Sequence, residues 1–392
     1  MISRPAPEFD LLCLAAQPAS CGDAQALRRA VSAIKDWPAV IQGAQRNHVT
    51  PLLLASLSDG AVQVPQDVLD ELRRRTTSAA GRSLRQIPAL ESLCAVLERA
   101  NIRYLVLKGI PLSLRLYGDP ARRMADDFDV LVSPAQFWQA DAALVQAGYR
   151  YETEPPAAAR SDAYTNWVKD LRYVDERSGT VVELHHRLTA NPYLLEWDFD
   201  ELWRDRDRVR LRATEVPALA AARVGMYVFV HGANHGWERL RWLVDFAAVL
   251  EREDGVERLL GEAERAGLRP AMLQALSLAH ARLALPLPPR LLDEAAKDRK
   301  VRRLDYCLSR FAGPTGWRRR PRPRSWGWFW RFSIWFFAYG LLLKPDWRYR
   351  AHHIATLWVH PPDWDIIRLP PSLSWLYPAI RPLGWAVRRL RS

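Results

Sequence analysis

Three acidic residues have the spacing of a site that binds a hard divalent cation. Asp127 and Asp129 are separated by one residue at the start of an apolar, strand-like run. Residues two apart on a strand lie on the same face, so both carboxylates can point into one cleft. Two acids held so close repel each other unless a cation lies between them, and such cations prefer oxygen ligands. Glu183, inside the apolar segment 181–184, is a third acid that is costly to bury unless it is paired or bound to metal.

A structural interpretation of the same acids is equally open on spacing alone. Asp-x-Asp is a common pattern, and Asp127 and Asp129 can cap the strand without binding anything. Glu183 can pair with an arginine. The residue types therefore indicate a candidate metal site without deciding between these two interpretations.

Three histidines are further candidates. His231 and His235 are four residues apart and share one face of a helix, where they can ligate a metal or contact a substrate. The H-E-x-x-H pattern of zinc proteases is missing, which favours histidines that are hydrogen-bonded to Asp245 or to the backbone. His185 follows Glu183 by two positions on a strand and faces the same way.

The elements that must position these residues form a small α/β unit. A buried strand over 102–107 ends at Lys108-Gly109, a short helix follows, and the Asp-x-Asp strand comes next. A second helix and a hairpin with glycine at its turn complete the pattern. The predicted ranges are 111–117 for the first helix, 128–132 for the second strand, 135–147 for the second helix, and 171–174 with 180–185 for the hairpin.

Helical patterns flank this unit on both sides. Residues 1–100 show helical spacing with prolines at positions 38, 51, 65 and 88 marking breaks, and the chain reads as helical again from Val216. We therefore predict an α+β fold with a small mixed-sheet core between helical modules. The predicted domains are a helical module at 1–100, the core at 101–212, a helical module at 213–312 and a basic, Trp-rich tail at 313–392.

The positive charge of the protein is concentrated in the tail. The 392-residue chain has a net charge of +12, and residues 315–392 alone hold 14 Lys/Arg against 3 Asp/Glu and 10 of the 17 tryptophans. The rest is nearly neutral, which argues against a protein that coats nucleic acid along its whole length. The Arg-Pro run at 318–324 beside tryptophans is typical of a linker before a packed helix, of a segment on an anionic membrane surface, or of a nucleic-acid contact. Nucleic acid is the least favoured of the three.

Cysteine usage and hydropathy indicate the compartment. The four cysteines form no C-x-x-C pair, which suits a reducing environment, and the N-terminus lacks the apolar core of a signal peptide. The apolar run at 326–343 is interrupted by Arg331 and is too short to span a bilayer. We predict a cytoplasmic protein, and the membrane interpretation of its tail would place it peripherally at the inner membrane surface.

Several separated motifs resemble one protein family. The segment 105–134, LVLKGIPLSLRLYGDPARRMADDFDVLVSP, is similar to the uncharacterised bacterial nucleotidyltransferase family of the polymerase-β-like superfamily, with its pattern LKG…LY.dP..R…D.DlLV. The Glu-Leu-His of 183–185 resembles its later strand, and the histidine-rich helix from His231 to Asp245 is also similar. The motifs at 364–365, 369–370 and 381–382 resemble its usual ending.

This resemblance implies a Mg²⁺-dependent (or Mn²⁺-dependent) enzyme that moves a nucleoside monophosphate from a nucleoside triphosphate to a small-molecule or protein acceptor. Asp127, Asp129 and Glu183 would be the catalytic, metal-binding acids, and Arg123 would offset phosphate charge. The nucleotide-binding set would comprise Lys108, Gly109, Arg123, His185, His231 and His235.

The sequence departs from the wider superfamily after the first strand. Gly109 is followed by Ile110 and Pro111, so the serine hydroxyl that usually holds a phosphate is missing, and Lys108 is the candidate replacement. A catalytically silent nucleotide-binding or scaffold protein with the same fold is therefore the first alternative. An RNA-acting nucleotidyltransferase, suggested by the basic tail, is the second.

Overall fold

The computed structural model describes residues 6–58, 60, 62–124, 127–155, 165–252, 255–312 and 326–359, and the single positions 369, 373, 376, 379 and 380. The chain separates into two compact units. The helical unit comprises Met1–Arg82, Leu116–Met124 and Ala221–Pro345, and the sheet unit comprises Ser83–Arg115, Ala125–Ala220 and Asp346–Ser392.

The N-terminal helices begin where the sequence offers capping groups. The Asp23 carboxylate accepts hydrogen bonds from two backbone N–H groups of the first turn of α2, and Asp36 does the same for one N–H of α3. Pro38 and Pro51 lie in the first turns of α3 and α4, where proline is favoured. The helices of this part are α1 (Pro7–Ala15), α2 (Ala24–Ser32), α3 (Trp37–Arg46), α4 (Thr50–Leu57) and α5 (Gln66–Arg99), and the boundary between the units falls inside α5.

The sheet unit contains a mixed sheet of seven strands in the order β3-β4-β5-β2-β1-β7-β6. The β2–β5 and β1–β7 pairs are parallel and the other pairs antiparallel. The strands are β1 (Tyr104–Val106), β2 (Asp127–Val132), β3 (Tyr149–Tyr151), β4 (Asp170–Asp175), β5 (Thr180–His185), β6 (Asp207–Arg210) and β7 (Glu215–Ala218), with the helices α6 (Ile110–Tyr117), α7 (Phe137–Gln146) and α8 (Phe199–Asp205) between them.

The apolar core lies on one face of this sheet. Phe128, Val130 and Val132 of β2 are buried there against residues from the C-terminal half of α5 and from α7. Because side chains alternate along a strand, the residues between them lie on the opposite face. That opposite face is the one that carries Asp127 and Asp129.

The C-terminal helices continue the helical unit. They are α9 (Ala221–Asn234), α10 (Leu240–Arg252), α11 (Gly255–Arg265), α12 (Arg269–Leu283), α13 (Pro289–Lys297), α14 (Arg299–Ala312) and α15 (Trp326–Leu343). A last helix, α16 (Trp347–Ala355), belongs to the sheet unit. No helix in the described ranges is long and apolar enough to cross a membrane.

The apolar run at 326–343, too short to span a bilayer, forms α15. Phe332, Phe336 and Tyr339 of α15 make edge-on ring contacts with Phe311 of α14, and Tyr339 is fully buried. The Arg-Pro segment at 318–324 and the family-like motifs at 364–365 and 381–382 lie outside the described residues, as does Pro370.

The α+β class predicted from the sequence is confirmed, and so are both predicted strands and the hairpin. Strands β3, β6 and β7 were not predicted. The helical reading from Val216 was wrong at its start, because Val216 lies in β7 and the helix begins at Ala221. β7 is only four residues long, and its burial comes from the parallel pairing of Ala218 with Val106, which sequence periodicity does not record.

Proline 88 does not break the chain as predicted. It lies inside α5, a helix of 34 residues. Leu90, Leu93 and Leu97, in the turns after it, are fully buried in the core of the sheet unit. Burial of such side chains contributes about 1.5–3 kcal/mol each, so the three leucines together outweigh the roughly 3 kcal/mol that an interior proline costs.

Candidate functional site

The register of the sheet brings the candidate acids together. Asp129 of β2 lies directly beside Glu183 of β5 in the parallel pair, and Glu183 lies opposite Arg172 of β4. Two residues further along β5, His185 lies opposite Asp170. Adjacent strands are about 4.8 Å apart, so these side chains meet on the face opposite the apolar core.

The described contacts join four of the predicted site residues. His185 Nε2 lies 3.2 Å from Asp129 Oδ1 and 3.4 Å from Glu183 Oε2. Oxygen and nitrogen atoms of Asp129, Glu183 and His185 lie within 4.8 Å of one another, close enough to surround an ion. Asp127, the first residue of β2, lies on the same face of the strand as Asp129. The Asp127 side chain is 27% exposed, whereas the Asp129 side chain is 2% exposed. We call Asp127, Asp129, Glu183 and His185 the carboxylate cluster.

Lys108 lies beside this cluster, on the β1 side of β2. The Leu107 N–H donates to the Asp129 carbonyl at 2.9 Å, which continues the β1–β2 ladder up to the turn. Gly109 then adopts a φ of +76°, a conformation that favours glycine, and α6 begins at the next residue. Lys108 Nζ lies 3.0 Å from Asp129 Oδ2 and 3.8 Å from Asp127 Oδ1. The ammonium group thus offsets part of the negative charge of the two aspartates.

Strand β4 supplies charged residues that the sequence reasoning missed. Arg172 Nε lies 3.2 Å from Glu183 Oε1, and Lys169 Nζ lies 3.8 Å from Glu183 Oε2 and contacts Asp170. The arginine partner predicted for Glu183 under the structural interpretation is therefore present. The hairpin itself carried the signal, since a turn centred on 175–180 places 172 opposite 183 and 170 opposite 185.

The charges of the cluster stabilise one another. Burial raises the pKa of Asp129, but Lys108 and His185 outweigh burial and hold that pKa well below its ordinary value. Burial and Lys169 lower the pKa of His185, whereas its hydrogen bonds to Asp129 and Glu183 raise it, and the net shift is upward. Because an ionised carboxylate only accepts hydrogen bonds, Nε2 carries the hydrogen here and holds both acids in place.

A divalent cation fits this donor set. Asp127, Asp129 and Glu183 offer carboxylate oxygens on one face of the sheet, the ligand type that Mg²⁺ and Mn²⁺ prefer. These three residues would hold the ion. Lys108, which now shares the two aspartates, is the group that an ion would displace.

Arg123, predicted to offset phosphate charge, lies in the helical unit. Its Nε donates to Asp245 Oδ2 at 2.9 Å, Arg241 Nε donates to Asp245 Oδ1 at 2.9 Å, and the Tyr117 hydroxyl donates to the same carboxylate at 2.8 Å. The two arginines and Asp245 are buried. Burial would raise the pKa of Asp245, but both arginines outweigh it and the pKa is lowered.

His231 and His235 also lie in the helical unit. Their rings are 4.8 Å apart, and each is within about 5 Å of the Trp242 ring, at 5.3 and 5.0 Å. Arg239 lies over the same tryptophan. In the turn after α9, Gly236 and Trp237 both have positive φ angles. A role of these histidines in nucleotide binding stays a prediction.

Comparison with known proteins identifies the family. No curated protein gives a significant match to the chain. A family described as "Uncharacterised nucleotidyltransferase" matches residues 34–284, more than half of the chain. The match includes every predicted site residue and begins well before the motifs that suggested it, while the motifs beyond residue 360 lie outside it. The chain belongs to this uncharacterised nucleotidyltransferase family.

Proposed function

We propose that the carboxylate cluster is the active site of a Mg²⁺- or Mn²⁺-dependent nucleotidyltransferase that uses a nucleoside triphosphate. The observation that carries the proposal is the pairing of Asp129 with Glu183 on adjacent parallel strands, with Asp127 on the same face. Family membership supports nucleotidyl transfer in general. The metal, the nucleotide and the acceptor are part of the proposal.

The reaction is a displacement at phosphorus. An oxygen or nitrogen of the acceptor bonds to the α-phosphorus, the bond from that phosphorus to the oxygen bridging to the β-phosphate breaks, and pyrophosphate leaves. The acceptor loses its proton to solvent. When bound, the divalent ion would offset phosphate charge and favour the deprotonated acceptor.

The residues of the chain position these groups. Asp127, Asp129 and Glu183 hold the ion, and His185 keeps Asp129 and Glu183 at a fixed spacing through its shared hydrogen bonds. Lys108 is the nearest cation on the β1 side, where it offsets the charge of the triphosphate. Phosphoryl-type transfer depends largely on such positioning and charge.

A catalytically silent nucleotide-binding protein is the second candidate, and one observation favours it. Lys108 pairs with Asp129 and Arg172 pairs with Glu183 in the described structure. A site whose carboxylates are satisfied by protein cations has less need of a metal. The absence of a serine after Gly109 points in the same direction.

The two candidates differ in an assay of pyrophosphate release. Wild-type protein incubated with Mg²⁺ and each nucleoside triphosphate should release pyrophosphate slowly with water as acceptor, and Asp129→Asn should lower this rate at least about 100-fold because a metal-binding charge is lost. Glu176→Gln is the control, since Glu176 is an exposed acid at the turn of the same hairpin.

Calorimetric titration completes the test. The enzyme proposal requires Mg²⁺-dependent nucleotide binding that Asp129→Asn abolishes and Glu176→Gln preserves. Binding without turnover, unchanged by Asp129→Asn, would favour the silent protein. Failure of the wild type to bind any nucleotide with Mg²⁺ would contradict both candidates.

A further inference from the structure

An arginine that the proposed mechanism does not use follows directly after the cluster. The His186 N–H donates to the Lys169 carbonyl at 3.0 Å, which extends the β4–β5 ladder, and the His186 ring packs on Phe137 in the apolar core at 4.8 Å. Arg187 lies two residues beyond His185, just after the end of β5, and contacts the segment that leads into β4.

Arg187 has no carboxylate partner within 4.0 Å among the described residues. Its Nη2 donates to the Val168 carbonyl at 3.1 Å, and its buried Nε has no acceptor. The other cations on this side, Lys169 and Arg172, each pair with Glu183. Burial lowers the pKa of Arg187 to about 10, and attraction to Asp170 opposes that shift, so the side chain remains charged. A half-buried guanidinium that has no carboxylate partner is unfavourable unless a bound anion accepts its remaining hydrogen bonds.

Aromatic rings lie close to this arginine in the sheet unit. The His352 ring stacks on Trp167 at 4.6 Å and meets Tyr193 at 6.0 Å. Burial lowers the pKa of His352, and the charge of Arg187 lowers it further, so this imidazole is neutral near pH 7. Arg187 therefore supplies positive charge beside rings that can pack against the body of a ligand, and a second arginine, Arg348, lies over the Tyr193 ring at 4.3 Å and pairs with Glu196.

We propose that Arg187 binds an oxyanion, a phosphate or carboxylate group, of the acceptor, which makes the acceptor an anionic small molecule. The inference rests on the proposed function, because it needs a nucleotide bound elsewhere in the site. Lys108 and Gly109 lie at the end of β1, whereas Arg187 follows β5 on the side of β4. The carboxylates of β2 and β5 lie between, so the nucleotide phosphates occupy the Lys108 side and the acceptor approaches from the Arg187 side. The planar guanidinium binds either oxyanion through two hydrogen bonds.

Inorganic phosphate and acetate are the probes for this subsite. Each is titrated into the full-length protein by calorimetry, first alone and then with Mg²⁺ and a non-hydrolysable nucleoside triphosphate present. We expect one of the two anions to bind in both conditions and Arg187→Gln to weaken that binding at least about 10-fold, with partial recovery in Arg187→Lys. Arg150→Gln is the control, since it removes the same charge from an exposed arginine of β3.

Three results would overturn the proposal. They are failure of both anions to bind wild type, equal binding in Arg187→Gln and wild type, and displacement of the anion by the nucleotide, which would assign Arg187 to the triphosphate. Failure of the wild type to bind nucleotide would contradict the proposed function, while the titration without nucleotide would still decide whether Arg187 forms an anion site.

Chemical modification tests the same point in wild-type protein, where folding of a variant is not in question. Phenylglyoxal reacts with accessible arginines, and mass spectrometry locates the modified residues. The anion that binds should slow modification of Arg187 and leave Arg150 unaffected. Equal modification of Arg187 with and without the anions would contradict the proposal.

Discussion

The buried charges of Asp129 and Asp245 are tolerated because each carboxylate has partners of opposite sign. The Asp129 side chain is 2% exposed, yet one of its oxygens faces His185 and the other faces Lys108. Asp245, equally buried in the helical unit, receives two arginines and a tyrosine. A buried ion pair stabilises little by itself, but removal of one member leaves an uncompensated charge. Residues of this kind are therefore sensitive to substitution whether or not they take part in chemistry.

Asp245→Asn should destabilise the protein by about 3–5 kcal/mol at pH 7, because it removes the charge of the carboxylate that pairs with the buried Arg123 and Arg241. The free energy of unfolding is measured by urea titration. Glu257→Gln is the control, since Glu257 and its partner Arg290 are exposed, and its effect should stay below about 1 kcal/mol.

The effect of Asp245→Asn on the free energy of unfolding should depend on pH. The pKa of Asp245 is lower in the folded protein than in the unfolded chain, so its contribution to stability is present above the unfolded pKa and is lost as pH falls through the folded pKa. The stability difference between wild type and Asp245→Asn should hold from pH 7 to about 5 and shrink below about pH 4. A difference that stays constant down to pH 3 would contradict this assignment.

At the scale of elements, the sequence predicted which candidate site residues share a face of the sheet, because this depends only on the alternation of side chains along a strand. The alternation of Asp127 and Asp129 with apolar residues placed both acids on one face, and the hairpin placed Glu183 and His185 on a strand that proves to be its neighbour. The Lys108 contacts were beyond prediction, because they depend on how β1 pairs with β2. Arg187 was missed for a similar reason. It lies just after β5, and the sequence does not reveal that no described carboxylate lies within 4.0 Å of it.

Arg123 illustrates the opposite case. The family motif places it four residues before Asp127, which suggested a phosphate ligand, but the structure pairs it with Asp245, 122 positions away in the sequence. No local pattern reveals such a distant partner. A role for Arg123 toward phosphate stays a prediction.

The end of α9 depends on a close contact that glycine alone permits. A Cβ added to Gly232 would lie 2.2 Å from the Trp237 ring, which is buried. Gly232→Ala should therefore destabilise the protein by about 1–3 kcal/mol through overpacking. Gly261→Ala is the matched control in α11, where the added Cβ meets only Arg265 at 3.7 Å, and it should stabilise by about 0.5–1 kcal/mol. Thermal unfolding compares the two, and effects of the same sign would contradict the packing argument.

For the whole molecule, the uneven charge of the chain remains the main feature that nucleotide chemistry does not explain. Residues 315–392 carry a net charge of +11. Within this segment, α16 and the turn after it present Trp347, Ile354 and Trp358 to solvent, with exposures of 75%, 44% and 59%. Trp347 and Ile354 are seven residues apart and lie on one side of α16, Trp358 follows in the turn, and the exposed Arg348 is next to Trp347 in the sequence. Aromatic and basic groups together favour the surface of an anionic bilayer.

Vesicle flotation tests whether the protein binds the surface of an anionic bilayer. Wild-type protein should float with vesicles that contain phosphatidylglycerol and much less with phosphatidylcholine alone, and the binding should weaken as salt is raised. Trp347→Ser/Trp358→Ser should reduce flotation several-fold. Leu84→Ser is the control, because Leu84 is an apolar residue of α5 that is 57% exposed and lies outside residues 315–392 of the sequence. Equal flotation of all three proteins would contradict the prediction, as would preferential binding to RNA.

The position of Lys108 has a consequence for the order in which ligands associate. Its ammonium group holds the two aspartates in the absence of a metal, so an incoming cation must compete with it and should bind weakly by itself. Once displaced, the same ammonium group is free to meet a triphosphate. Metal and nucleotide would therefore bind with positive cooperativity, each increasing the affinity of the other by the same factor. One lysine would thus make the site selective for the metal–nucleotide complex over either component alone.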